Sequence, residues 1–172
     1  MSRLHVAALR RHLPDSTVVD PVLDQLADGI RAIRRVVDGL QPSVLEDVGL
    51  VPALQILLAD IRSASGVNIT LDAPPTLPEL SMVAASTAYR VVAEALANVV
   101  RHSGAIACRV CLTHTDGMLH VEIVDNGRGF EPAAVSGMGL RSMSERATMA
   151  HGTMRVVSSA TSGTHVALEV PA

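Results

Sequence analysis

Apolar and polar positions follow two distinct periods along this chain. Over residues 21–40 the apolar side chains Leu23, Leu26, Ile30, Ile33, Val37 and Leu40 recur three and four apart, flanked by Asp24, Asp28, Arg31, Arg34 and Arg35. This is a heptad seam of nearly three repeats. A shorter helical piece over residues 3–13, ended by Pro14 and the turn Asp15-Ser16-Thr17, precedes it. Together they predict a helical hairpin that pairs with a second copy of the chain. After Pro42, a helix opens at Val48-Gly49-Leu50 and runs to about Ser63, where Gly66 stops it. Residues 67–71 alternate as a strand and 72–78 form a turn-rich linker. A long helix is predicted from about Ser81 to His102, and two strands follow near 106–113 and 119–125, joined at Asp116-Gly117. A helix over 140–150 and strands over 154–158 and 164–170 complete the pattern. Helices followed by a mixed sheet covered on one face predict an α+β, two-layer sandwich with an N-terminal helical hairpin. The expected division is residues 1–47 for the hairpin and 48–172 for the sandwich.

Composition narrows the function classes. With 48% hydrophobic residues in 172, the chain can bury a core of one domain. A net charge of −3 and only two aromatic residues, Tyr89 and Phe130, argue against a nucleic-acid partner. All 14 basic residues are arginine, which excludes a phosphate-binding, Schiff-base or general-base lysine. No apolar run reaches the length of a membrane span, and the N-terminal residues lack a signal-peptide core. The expectation is a cytoplasmic chain that makes no membrane contact itself, or the cytoplasmic part of a longer membrane-bound protein. Cys108 and Cys111 stand in a C-x-x-C spacing, but within a strand-like stretch, where residues three apart face opposite sides. They read as small strand residues in a reducing compartment.

The chemistry lies in the second half. On a helical wheel over 81–102, Ala85, Tyr89, Val92, Leu96 and Val99 form one stripe, and Arg90, Glu94, Asn98 and Arg101 lie opposite. A polar stripe alone is usually a solvated face. Here an apolar strand follows that ends in Asp125-Asn126-Gly127-Arg128-Gly129-Phe130, with no returning strand to make a hairpin of Asn-Gly. Gly137-Met138-Gly139 then stands directly before a helix. Gly127 and Gly129 lack β-carbons where a flat ring could approach the backbone. Asp125 can accept a hydrogen bond from an exocyclic amine. Gly137 and Gly139 leave N–H groups free at a helix start, where the dipole favours phosphate oxygens. Asn98 offers an amide oxygen to a hydrated Mg²⁺, and Glu94, one turn earlier, is placed to orient or deprotonate an attacking group.

The ordered set resembles the ATP-binding, Bergerat-fold region of bacterial two-component sensor histidine kinases. YRVVAEALANVVRHSGA at 89–105 is similar to their asparagine box, DNGRGF at 125–130 to the first glycine box and GMGLRSMSERA at 137–147 to the second. SGTHVALEVP at 162–171 resembles the closing Gly-Thr motif. The short stretch between the glycine boxes and Gly-x-Gly-Leu-x-x-Met-x-x-Arg point to the nitrate-sensor and desaturase-kinase subgroup. The junction Leu40-Gln41-Pro42 with Val48-Gly49-Leu50 is similar to the one that joins that subgroup's dimerisation helices to its ATP-binding domain.

The resemblance implies ATP and Mg²⁺ as cofactors, Asp125 on the adenine amino group, and Gly127 and Gly129 in the adenine pocket. It implies Asn98 as the Mg²⁺ ligand and Glu94 as the catalytic acid of the asparagine box. Gly137 and Gly139, with Leu140 beside them, let a lid close on the triphosphate, and Thr164 sits near the adenine through water. Arg101 and His102 are further phosphate candidates, His102 equally a helix C-terminal cap. The implied partners are a second copy through helix 21–40, a histidine-bearing kinase helix and a response regulator. Two departures stand out. The subgroup's first dimerisation helix carries a phosphate-accepting His followed by Asp, whereas His5 is followed by Val6, and His12 by Leu13 and Pro14. Autophosphorylation at the usual place is therefore not expected, which suits a shortened chain or one acting on a histidine of another chain. Second, His151-Gly152 stands where the family usually has Gly-Gly. The alternatives are a serine kinase of the anti-sigma-factor type and a non-catalytic, dimerising nucleotide-binding module.

Overall fold

A computed structural model of the chain describes residues 43–130, 138–159 and 162–172. The predicted hairpin, its dimerisation seam over 21–40 and Gly137 lie outside the described residues, which all belong to one unit, Pro42–Ala172. That unit opens with helix α1 (Ser43–Val48) and helix α2 (Leu50–Ser65). Gly49 links them at φ +80, and Gly66 stops α2 in the left-handed conformation, its N–H donating to Arg62 O. Strand β1 (Asn68–Asp72) leads through the linker to helix α3 (Met82–Asn98), whose N-cap Ser81 accepts from Ala84 N at 3.1 Å. A π-helical turn (Val99–Ser103) continues it. Strands β2 (Ala107–Thr115) and β3 (Met118–Asp125) form a hairpin, followed by helix α4 (Met138–Met149), strand β4 (Thr153–Ser159) and strand β5 (Gly163–Pro171). Asp116 and Gly117, at φ +54 and +75, make the two-residue turn whose twist matches that of the flanking strands.

The sheet order is β1-β2-β3-β5-β4, with β1 parallel to β2 and every other pair antiparallel. Period-two alternation divides its side chains. Val110, Leu112, Leu119, Val121, Ile123, Val166, Leu168 and Val170 are buried on the inner face, against the helices. Leu54 and Leu58 of α2, Val91, Val92 and Leu96 of α3, and Met143 and Ala147 of α4 complete this single core. Ala84, Ala88 and Ala95 are also buried, so α3 can lie close to the sheet. The opposite face carries Arg109, Thr113, Glu122 and Glu169, all exposed. The α+β two-layer sandwich expected from the sequence is the fold observed. Its consequence for the site is positional: β3 ends where β5 begins, Asp125 paired with Thr164, and the loop that follows β3 meets the turn that closes α3, Arg128 N donating to Ser103 O.

Candidate functional site

Glu94 and Asn98 are half-buried and one turn apart on α3. Beyond Asn98 the helix widens. Ser103 Oγ donates back to Val99 O at 2.8 Å and accepts from Ala105 N at 3.0 Å, closing the π-helical turn, and Gly104 leaves it at φ +65. The sequence predicts a plain α-helix as far as His102, with Arg101 in line with Glu94 and Asn98. The wider turn breaks that alignment, and Arg101 and His102 are both exposed.

The loop after β3 is fastened to this turn and to the neighbouring strands. Asp125, only 5% exposed, accepts from Gly127 N through Oδ1 at 2.7 Å. Asn126 Oδ1 accepts from Ile106 N at 3.1 Å and Ala107 N at 3.0 Å, while its own N–H donates to Ala107 O at 3.2 Å. Arg128 donates twice to the turn, from its backbone N to Ser103 O at 2.9 Å and from Nε to His102 O at 3.0 Å. Phe130 N donates to Ser158 Oγ at 2.9 Å. The glycines follow from these close approaches. A β-carbon at Gly127 would lie 2.6 Å from both Cβ and O of Ser103. One at Gly129, where φ is +62, would overlap Ser159 O and come within 2.9 Å of Gly163 O. At both glycines the nearest neighbours of the missing β-carbon are protein atoms.

At the end of the sheet, Cys108, Asp125, Thr164 and Ser158 stand side by side across β2, β3, β5 and β4. Gly163, at φ +72, lets β5 start directly against Asp125, since a β-carbon there would overlap Asp125 O. Burial, and secondly the charge of Asp125, push the Cys108 thiol up to about 12. Cys111 pairs in register with Glu122, on the opposite face, so the C-x-x-C spacing brings no thiol pair together. Because the folded value lies above the ordinary 9.0, Cys108 favours the native state below pH 9 and loses that contribution as pH rises towards 12. At pH 8 a thiol reagent is expected to modify Cys111 within minutes and Cys108 only after unfolding in urea, read by mass spectrometry of the peptides.

Helix α4 begins against α3. A β-carbon at Gly139 would overlap Glu94 Oε1, so the absent side chain lets the Glu94 carboxylate reach the first turn of α4. N–H groups there have no partner within the helix and sit at its positive end. Leu140, half-buried, packs on the core. At the other end His151 takes the left-handed conformation at φ +57, and Gly152 N donates to Ala147 O at 2.8 Å. The turn thus forms with a histidine in the left-handed position that glycine takes most easily.

Sequence reasoning missed Ser103, Asn126 and Ser158. Ser158 had a signal: it shares strand parity with the half-buried Met154 and Val156, so a hydroxyl falls on the inward face. Asn126 looked like a turn residue, and nothing local distinguishes the two uses of its amide. The structure brings Glu94, Asn98, Asp125, Gly127, Gly129, Gly139 and Thr164 to one end of the sandwich; Arg101 and His102 lie on the turn beside them.

Comparison with known proteins decides the family. The model of the histidine kinase-, DNA gyrase B-, and HSP90-like ATPases matches residues 84–172. The chain belongs to this ATPase family. The chain is 32% identical over 169 residues to the sensor histidine kinase MctS of Rhizobium johnstonii, covering 95% of this chain and 36% of the relative. It is 37% identical over 134 residues to the sensor histidine kinase LiaS of Bacillus subtilis, covering 77% of this chain and 37% of that protein. It therefore spans little more than a third of the length of these relatives, and corresponds to the ATP-binding region of sensor histidine kinases. The solved histidine kinase AdeS of Acinetobacter baumannii shares its fold, with a TM-score of 0.64 at 16% identity over 98% of this chain and 91% of that one. The oxygens of Asp125 and Asn98 fit a nucleotide and its cation. One oxygen of Asp125 is taken by Gly127, leaving Oδ2 to accept from an amine. Among the described residues no cluster of three or more His, Cys, Asp or Glu is placed to cage a metal. The neutral oxygen of Asn98 suits a cation that takes its other ligands from phosphates and water. No helix of the described residues is long and apolar enough to cross a membrane.

Proposed function

We propose that the domain binds ATP with Mg²⁺ and transfers the γ-phosphoryl group to a histidine in a two-component signalling system. The observation that carries this reading is the convergence of four separate segments: the asparagine-box face of α3, the loop after β3, the first turn of α4 and the start of β5. In it Asp125 Oδ2 accepts from the adenine amino group, with Thr164 beside it. Gly127 and Gly129 hold the loop that forms the purine wall. Asn98 lends its amide oxygen to Mg²⁺, which neutralises phosphate charge when bound. Gly139, and Gly137 just outside the described residues, supply backbone N–H groups to the phosphates, with Leu140 anchoring the helix behind them. Arg101 and His102 take the place that lysine holds in other phosphate sites. Glu94 orients or deprotonates the accepting group. Catalysis is then mainly positioning and charge stabilisation. The proposed setting is cytoplasmic, with a homodimer formed through helix 21–40, a histidine-bearing kinase helix and a response regulator, as in the nitrate-sensor and desaturase-kinase subgroup.

The test is transfer from γ-labelled ATP to a sensor kinase that keeps its His-Asp helix but lacks its own asparagine-box glutamate. Acid-labile label on that histidine supports the proposal, and acid-stable label on serine supports a serine kinase. Nucleotide binding without any transfer supports the non-catalytic module, which the absence of a His-Asp pair near His5 and His12 favours as the second reading. Glu94→Gln is expected to lower transfer at least 100-fold while leaving nucleotide affinity within about threefold.

A further inference from the structure

Three polar side chains stand in register at the end of the inner sheet face, Asp125, Thr164 and Ser158. Their hydrogen bonds can be assigned proton by proton. A serine hydroxyl has one proton to donate and two lone pairs to accept with. Gly163 O, 2.9 Å from Ser158 Oγ, can only accept, and Phe130 N, also 2.9 Å away, can only donate. The Ser158 proton therefore goes to Gly163, and one lone pair takes the Phe130 N–H. The lone pair left over faces Thr164 Oγ1 at 3.2 Å. Within this contact Thr164 is therefore the donor, which leaves its own lone pairs for the site. The Asp125 carboxylate beside it, with Oδ1 held by Gly127, likewise only accepts.

We propose that Ser158 is a positioning residue that sets base specificity: by holding the Thr164 proton it makes this row acceptor-only, so that a 6-amino purine is admitted and a 6-oxo purine is rejected. The inference rests on the nucleotide-binding reading above and adds to it a side chain that acts through Thr164. An exocyclic amine brings two protons to the row and satisfies it. In the same pose the carbonyl oxygen of a 6-oxo purine brings lone pairs against lone pairs and leaves the buried Asp125 carboxylate unpaired, and its neighbouring N1–H can meet the row only if the ring shifts along it. The same hydroxyl anchors Phe130, so the base-reading row and the loop carrying Gly127 and Gly129 share one pin.

The experiment is calorimetric titration of the full chain with Mg·ADP and Mg·GDP, which bind without turnover. The native chain is expected to prefer ADP. Ser158→Ala frees the Thr164 proton, and the ADP-to-GDP affinity ratio is expected to fall about tenfold. In a Thr164→Val background, where no proton is left to redirect, the same substitution should leave the ratio unchanged. Ser158→Cys, of similar volume and a poor acceptor, should shift the ratio the same way and serves if the alanine variant does not fold. Equal weakening of both nucleotides, with the ratio kept, would mean that Ser158 is only a structural pin and overturns the inference while leaving the site intact. A native chain that binds both equally also overturns it. A folded native chain that binds neither overturns the nucleotide-site reading itself.

Discussion

Gly129→Ala is expected to abolish measurable nucleotide binding and to lower the unfolding free energy by about 3 kcal/mol. Two costs combine. The left-handed backbone at φ +62 disfavours any side chain, and the added β-carbon would run into the carbonyls of Ser159 and Gly163. Neither carbonyl can retreat freely, because Ser159 and Gly163 pair with each other at the ends of β4 and β5, next to the pair Ser158 and Thr164. Gly117→Ala separates the two costs: its φ is +75, yet a β-carbon there meets nothing within 4 Å. It should lose only about 1 kcal/mol and bind nucleotide normally. Urea denaturation and titration of the two variants side by side give the comparison, and equal mildness would show that the loop does not press on β4 and β5 as described.

Asp125→Asn is expected to weaken Mg·ADP binding about 100-fold, the loss of a charge-assisted hydrogen bond together with an amide N–H turned towards the amine. Asparagine can still accept from Gly127 N, so the melting temperature should move by only a few degrees, and sedimentation should show the same oligomeric state. Cys108 offers an independent check. Its thiol is pushed to about 12 first by burial and then by the Asp125 charge. The variant should therefore titrate Cys108 at lower pH than the native chain, whether or not nucleotide is present. Unchanged affinity combined with a lowered thiol would place Asp125 correctly in the fold and remove it from the binding site.

The strands and helices of the sandwich were legible because each obeys a local rule. Ser81 caps α3, Asp116-Gly117 turns the hairpin, and the alternation of Leu119, Val121 and Ile123 marks the buried face of β3. The candidate site was legible as a set of motifs because glycines and carboxylates cluster in order along the chain. What the sequence could not supply was the reason for individual residues. Gly127 and Gly129 are required by Ser103, Ser159 and Gly163, which are remote in sequence. The amide of Asn126 reaches the start of β2, 19 and 20 residues away. Such contacts are products of strand order, and the order β1-β2-β3-β5-β4 is not a local property.

The π-helical turn after Asn98 carries a consequence for how this chain is compared with others. Residues before it and residues after it obey different angular clocks, so a distance counted in steps across positions 99–103 is not the same distance in space. A sequence that reached the same site with an ordinary helical turn would need one amino acid fewer there. Aligned without a gap, the two would match letter for letter while their downstream side chains looked in different directions.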